Sequence, residues 1–257
     1  MTQWQRPMTD DRAPAFSALS PSILDREDRL RIGRQILAVL DHHLGGGGLA
    51  GRRVLDIGCS SGVITALIAT TAGATVGIDV DEPALARARS EAHPPHLEFR
   101  KMSAVALDFP NESFDVVLCN QMYYWLEDPS RLMSEIARVL ARGGVCVFTT
   151  VNKYKLWEAQ YRLPLLSVMP RALADVCVRL AGKGDRFGCR YLSYWELGRL
   201  CAGFEVHRYT GRILKDPDSY RFTRLSRIAQ VTRRLPLSWL EALEPLSPNL
   251  VWILAKK

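Results

Sequence analysis

No stretch of this 257-residue chain approaches the ~18 uninterrupted apolar residues that a membrane-spanning helix needs. The first residues, MTQWQRPMTDDRAPAF, lack a basic segment followed by an apolar one, so a secretory leader is not expected and a cytoplasmic location is the default. The six cysteines, Cys59, Cys119, Cys146, Cys177, Cys189 and Cys201, form no CxxC pair and show no Cys/His spacing typical of zinc. A metal is therefore not expected, and free thiols point to a reducing compartment. Beyond Gly45–Gly48 there is no low-complexity tract, and no internal repeat. With 47% hydrophobic and 24% charged residues, the composition excludes a disordered or collagen-like chain and suits one that buries a sizeable core.

Charge is unevenly placed. Residues 1–150 hold 15 Lys and Arg against 18 Asp and Glu, whereas residues 151–257 hold 19 against 9. A basic half fits an anionic substrate, nucleic acid, membrane headgroups or simply a soluble surface.

From residue 54 to 151 short apolar runs alternate with amphipathic segments, the pattern of consecutive βαβ units and a parallel sheet. Strands are predicted at 53–57, 74–79, 96–100, 114–119 and 145–151, with two more at 204–209 and 250–255. Asp81 and Asp128, each followed closely by a proline, are candidate helix caps, and Gly73 and Gly143-Gly144 lie just past helix ends. An amphipathic helix over about 25–44 should present Leu30, Ile36, Leu37, Leu40 and Leu44 on one face. Residues 1–24 read as an arm. Residues 152–203, rich in Tyr and Trp interleaved with Arg and Lys, read as a mostly helical insertion capping the sheet, and 219–244 as a basic helical segment.

The strongest local signal is Val54-Leu55-Asp56-Ile57-Gly58-Cys59-Ser60-Ser61-Gly62, a strand entering a helix through a turn of small residues. In an open α/β sheet such a turn lets a ligand approach the backbone at the carboxyl ends of the strands. The strand Val76-Gly77-Ile78-Asp79 then ends in a carboxylate 21 residues after Gly58, where an acid can accept hydrogen bonds from both hydroxyls of a ribose. A dinucleotide fold would need GxGxxG to hold a pyrophosphate; this turn reads Gly-x-x-x-Gly, with Asp56 two residues before the first glycine. A carboxylate there repels phosphate and suits the ammonium of a methionine moiety, so a nicotinamide oxidoreductase is disfavoured.

These residues resemble the class I S-adenosylmethionine-dependent methyltransferases, particularly their small-molecule group, over about residues 30–151. Asp56, Gly58, Ser60 and Gly62 match the motif that wraps the methionine end of the cofactor, with Cys59 contributing its backbone and filling space. Asp79 matches the ribose-binding acid and Val80 its neighbour on the adenine. Ser103 stands where the family usually has an Asp for the adenine amine, which shifts weight to Met102 packing and the Ala104 amide. Asn120-Gln121-Met122-Tyr123-Tyr124-Trp125 matches the segment facing cofactor and substrate together. The resemblance implies a Rossmann-like, doubly wound, mostly parallel seven-stranded sheet over 25–257, with a helical cap insertion at 152–203 between strands five and six.

For the chemistry, methyl transfer from a sulfonium is an in-line displacement that needs proximity, alignment and excluded water, and a base only where the acceptor demands one. The five histidines, His42, His43, His93, His96 and His207, read as packed or surface residues. No general base is assigned; Tyr123, Tyr124 and Trp125 are expected to position the acceptor or contact the sulfonium. The acceptor is expected to be a small or lipid-like molecule methylated at oxygen, with an anionic group or a peripheral membrane contact as readings of the basic cap. An RNA methyltransferase using the basic C-terminal face, and a cofactor-binding protein without turnover, remain as alternatives. Nucleic acid is disfavoured because no RNA-binding module and no Asn/Asp-Pro-Pro-aromatic motif is present.

Overall fold

A computed structural model describes residues 25–45, 47–91, 93–158 and 161–257. The expected arm, 1–24, lies outside the described residues. The chain opens with helix α1 (Arg26–Leu44), capped by Asp25, whose carboxylate accepts the amides of Glu27 and Asp28, and stopped at Gly45. Acidic residues Glu27 and Asp28 at its start complement the helix dipole.

Strands β1 (Val54–Ile57), β2 (Thr75–Asp79), β3 (Leu97–Lys101), β4 (Phe114–Asn120) and β5 (Leu140–Val151) follow, with α2 (Val63–Ala69), α3 (Glu82–Ser90) and α4 (Pro129–Val139) between them. Asp81 and Asp128 cap α3 and α4 as predicted, accepting the amides of Ala84 and Ser130. The first five strands pair in parallel; β8 (Phe204–Arg208) and β9 (Asn249–Lys256) complete a seven-stranded sheet in the order β3-β2-β1-β4-β5-β9-β8, with β9 antiparallel to both neighbours. The order reverses between β1 and β4, and that reversal leaves a crevice at their carboxyl ends.

Both faces are covered, which is why β1 is buried at all four positions. Leu55, Val117, Phe148 and Trp252 pack on one face under α4 and the insertion. Val54, Val116, Val147 and Ile253 pack on the other, against α1, α2 and α7 (Thr210–Lys215). At the far edge from the crevice, Asp115 accepts the Arg53 amide at 2.8 Å and pairs with its guanidinium at 2.8 Å, joining the starts of β1 and β4.

Several expectations are corrected. The insertion is not mostly helical: its helices are α5 (Arg171–Leu180) and α6 (Tyr194–Leu200), and it begins with a hairpin of β6 (Trp157–Glu158) and β7 (Leu163–Pro164). Pro164 and Pro170 explain this, since proline resists helix interiors. The 219–244 segment is broken, with short helices α8 (Ser226–Thr232) and α9 (Leu237–Ala242), the latter starting after Pro236. Gly143 and Gly144 lie within β5, where residues 141–144 bulge out of the pairing with β4. The buried face of α1 is centred on Gln35, Ile36, Val39 and Leu40, rotated from the expected one toward the cluster it shares with Ile64 and Ile68 of α2 and Ile213 of α7.

Gly62, at φ 73°, starts α2 in the left-handed region, and a Cβ there would meet Phe99 Cζ at 2.5 Å and Ala88 Cβ at 2.9 Å. Gly62→Ala should therefore cost about 2–4 kcal/mol, combining backbone strain with overpacking. Denaturant unfolding measures it; a loss under about 1 kcal/mol would contradict this packing.

Candidate functional site

β1 ends at Ile57, and the chain turns through Gly58 (φ 78°) and Ser60 (φ 51°) into α2. The amides of Gly58 and Cys59 both donate to the Ile78 carbonyl, at 2.8 and 3.0 Å, which fastens the turn to β2. Asp79, the last residue of β2, completes the link: one carboxylate oxygen accepts the Ser60 amide at 2.8 Å and the other accepts the Asp81 amide at 2.9 Å. Burial raises the Asp79 pKa, and these amides oppose the rise.

Beside this turn lies a cleft lined by Ile57, Gly58, Asp79, Val80, Met102 and Ala104, closed by Met122 and Leu126. A Cβ on Gly58 would meet Met122 Cγ at 3.0 Å, so only glycine keeps this wall close. The loop carrying Met102 and Ala104 is held from behind by Arg138, which donates to the carbonyls of Leu107 and Phe109 at 2.7 and 2.6 Å and pairs with Glu135. The chemistry of these walls fits an adenosyl cofactor. Each Asp79 oxygen accepts one amide and retains acceptor capacity for a ribose hydroxyl, and the thioether and methyl surfaces of Met102, Met122 and Ala104 suit a flat purine.

Of the residues expected from sequence, Gly58, Asp79, Val80, Met102 and Ala104 thus converge on one cleft. Ser60 stands in the turn beside it, tied to Asp79 through its amide, in a left-handed backbone conformation that glycine would adopt without strain. Cys59 is buried with its thiol pKa raised by desolvation, so it stays neutral and fills space. Gly62 packs under Phe99. Asp56 lies beneath the turn rather than along the cleft; its carboxylate accepts the Thr65 hydroxyl at 2.6 Å, and burial pushes its pKa to about 6. Ser103 follows in the Met102 loop, its carbonyl accepting the Ala106 amide. Asn120 is turned away, its side-chain oxygen accepting the Thr149 hydroxyl.

Two residues of this site escaped sequence reasoning. Met122 sat within the segment already singled out but carried no chemical signal of its own. Arg29, on α1, is brought into electrostatic range of Asp56, Tyr124 and Asp79, and its own pKa is lowered by burial. Its guanidinium suits the carboxylate end of a methionine moiety. In sequence it is one of four arginines in the first half of an amphipathic helix, with nothing to distinguish it.

The three aromatics after β4 pack beneath the insertion. The Tyr123 hydroxyl accepts the Leu192 amide at 2.9 Å, and Tyr124 stacks on Tyr191 with ring centroids 4.8 Å apart. Trp125 alone of the three keeps appreciable exposure. Lys155 and Glu158 form a buried ion pair under the same cap, with the Lys155 ammonium 4.1 Å from the Tyr191 ring centroid.

A carboxyl whose folded pKa is raised, as at Asp56, favours folding below its unfolded value near 3.8, and that advantage is lost as pH rises through about 6. Asp56→Asn keeps the Thr65 contact and removes the buried charge. It should stabilise the free protein at pH 7 by on the order of 2–3 kcal/mol and flatten the dependence of Tm on pH between 4 and 7. Thermal unfolding across that range checks it, and an unchanged pH dependence would contradict the assignment.

Comparison with known proteins agrees with this geometry. Residues 55–148 match the family described as a methyltransferase domain. The chain is 33% identical over 174 residues to a ubiquinone biosynthesis O-methyltransferase of Pseudomonas fluorescens, covering 62% of this chain and 72% of that protein. It is 30% identical over 169 residues to a protein of the same name from Aromatoleum aromaticum, covering 64% and 68%. In fold it is similar to the plantazolicin methyltransferase BpumL, with a TM-score of 0.59 at 18% identity, covering 95% of this chain and 91% of that one. An S-adenosylmethionine-dependent methyltransferase from Mesorhizobium loti gives 0.56 at 22% identity, covering 81% and 92%. With its reversed sheet, its glycine turn tied to the acid that ends β2, and these relatives, the chain belongs to the class I S-adenosylmethionine-dependent methyltransferases.

Proposed function

We propose that this enzyme methylates a hydroxyl oxygen on a small or lipid-like acceptor, and that the hydroxyl is acidic, as on an aromatic ring. The observation that carries the reading is the placement of the histidines away from the transfer edge. His42 and His43 both face the Tyr209 hydroxyl at 3.2 Å, His93 and His96 bond the carbonyls of Ala88 and Ala69, and His207 packs against His43. The side chains at the carboxyl ends of β4 and β5 are instead Asn120 and Thr149, an amide and a hydroxyl. Such groups orient a hydroxyl without deprotonating a weakly acidic one, so the acceptor supplies the acidity. The similarity to O-methyltransferases of ubiquinone biosynthesis supports the same class of acceptor.

S-adenosylmethionine, when bound, supplies an electrophilic methyl group on a sulfonium. The chain's own contribution is alignment and exclusion of water. Asp79 would hold the ribose end and Met102 and Ala104 the base, while Arg29, with Asp56 acting from beneath the turn, would supply charge for the amino-acid end. Trp125, half-buried after β4, would offer a ring face to a cation. The insertion, resting on Tyr123, Tyr124 and Tyr191, closes the edge.

A second reading concerns the insertion's outer surface. Leu156 is 73% exposed, Trp157 57%, Leu173 57% and Leu180 84%, and Arg162, Arg171, Arg179 and Lys183 lie exposed among them. We infer that this surface rests on an anionic membrane, as an amphipathic apolar face with a basic margin does. Among the described residues no helix is long and apolar enough to cross one.

Calorimetry with S-adenosylhomocysteine and transfer of labelled methyl to catechol test the main reading. Binding and O-methylated product are expected, and Asp79→Ala should weaken cofactor affinity by ~1.5–3 kcal/mol through loss of charge-assisted hydrogen bonds. Product methylated only at nitrogen or carbon across an acceptor screen would refute the oxygen assignment. For the second reading, vesicles with phosphatidylglycerol should sediment the protein, and Trp157→Ser with Leu180→Ser should release at least half of it. Equal sedimentation with neutral vesicles, or none, would reject the contact.

A further inference from the structure

Behind the transfer edge the protein encloses a cavity of about 420 Å³, within the size range of small-molecule sites. It lies between α1 and the segment from α7 to α8, on the sheet face opposite the insertion. Its end at the carboxyl edge of the sheet is polar and open, formed by Asn120 and Thr149 with the exposed Gln121 and Asn249 at the ends of β4 and β5 and the start of β9. Its walls are apolar: Ile36 and Val39 from α1, Val147 and Val251 from the sheet, Ile213 and Leu214 from α7. Asn120 and Gln121 immediately precede Met122, which walls the cofactor cleft, so one turn of chain lines both spaces. Gln121 adopts φ 53° there, a left-handed conformation unusual for a residue with a side chain, and its amide is fixed to the Thr149 carbonyl at 2.8 Å.

We propose that this cavity, and not the underside of the insertion, holds the acceptor, and that the acceptor carries an elongated apolar body behind its reactive hydroxyl. The hydroxyl meets the Asn120–Thr149 pair beside the cofactor cleft, while the body lies between Ile36 and Ile213. A small polar acceptor would leave this apolar volume unfilled.

The outer end is closed by a strap. Asp28 of α1 pairs with Arg31 at 3.0 Å and with Arg224 at 3.2 Å, and Gln35 donates to the Arg221 carbonyl at 3.3 Å. These contacts tie α1 to the turn before α8 across the cavity mouth. They are polar and partly exposed, so they open at small energetic cost and admit the acceptor from that side. The most basic stretch of the chain thereby forms the rim of the acceptor site.

The assignment rests on the O-methyltransferase reading for its choice of probe, and the experiment separates the two. In steady-state assays 4-hexylcatechol should have a KM at least tenfold below that of catechol. Ile32→Trp, a half-buried wall residue near the mouth, should reduce that preference to within threefold while leaving S-adenosylhomocysteine affinity and Tm unchanged. Leu225→Trp, on the facing wall, repeats the test should Ile32→Trp lower Tm. Leu173→Ala on the exposed insertion should leave the preference intact. A preference untouched by both wall variants, or abolished by Leu173→Ala, overturns the proposal. A crystal grown with S-adenosylhomocysteine and 4-(6-bromohexyl)catechol locates the tail independently of turnover. Bromine between α1 and α7 supports the assignment, and bromine beneath the insertion or absent from the protein overturns it. Should no catechol be methylated while bromine occupies the cavity, the O-methylation reading fails and the cavity assignment stands.

Discussion

The Asp79 carboxylate is the constraint on which the cofactor site depends. It terminates β2, accepts the amide of Ser60 from the turn after β1, and accepts the amide of Asp81 at the start of α3. One buried side chain thus fixes two loops that would otherwise lie against each other with unsatisfied amides. Burial alone would drive the group toward its neutral form, and the two amides hold back that shift. The acid that ends β2 builds the wall of its own cleft, so its positioning does not depend on a ligand.

Asp56 shows the opposite balance. It has one side-chain donor, Thr65, and a second carboxylate nearby, and its pKa climbs to about 6. The fold carries an uncomfortable negative charge under the turn, partly answered by the charge of Arg29 on α1. Such stored electrostatic cost is common where a protein is shaped for a charged ligand and not for maximal stability. The Asp56, Asp79 and Arg29 side chains thus bring charges of both signs together near the turn.

The sheet divides the remaining work between its two faces. On one, the insertion is anchored through Tyr123, Tyr124 and Tyr191 and shows a greasy outer surface to its surroundings. On the other, α1 and the broken C-terminal helices leave a cavity lined by apolar residues of both. The charge asymmetry of the chain follows this division, with acids at the cofactor turn and bases on the insertion and around the cavity mouth.

Much of this was legible in the residues, for physical reasons. Strand positions followed from apolar runs that must be buried on both faces, and helix starts followed from Asp81 and Asp128, because an orphan amide needs a local acceptor. The cofactor cleft followed from Gly58 and Asp79, since a close backbone approach and a strand-end carboxylate are local features of the chain. What tertiary structure alone decided depends on distant segments meeting. It placed Arg29 beside Asp56, set Tyr123 and Tyr124 to bear the insertion, and broke the expected cap helices at their prolines. It also opened a cavity whose walls come from residues 31 to 39, 147 to 149 and 213 to 251. Local chemistry writes caps, turns and strand faces into the sequence, whereas a cavity is the volume left between packed elements, and no single stretch of sequence contains it.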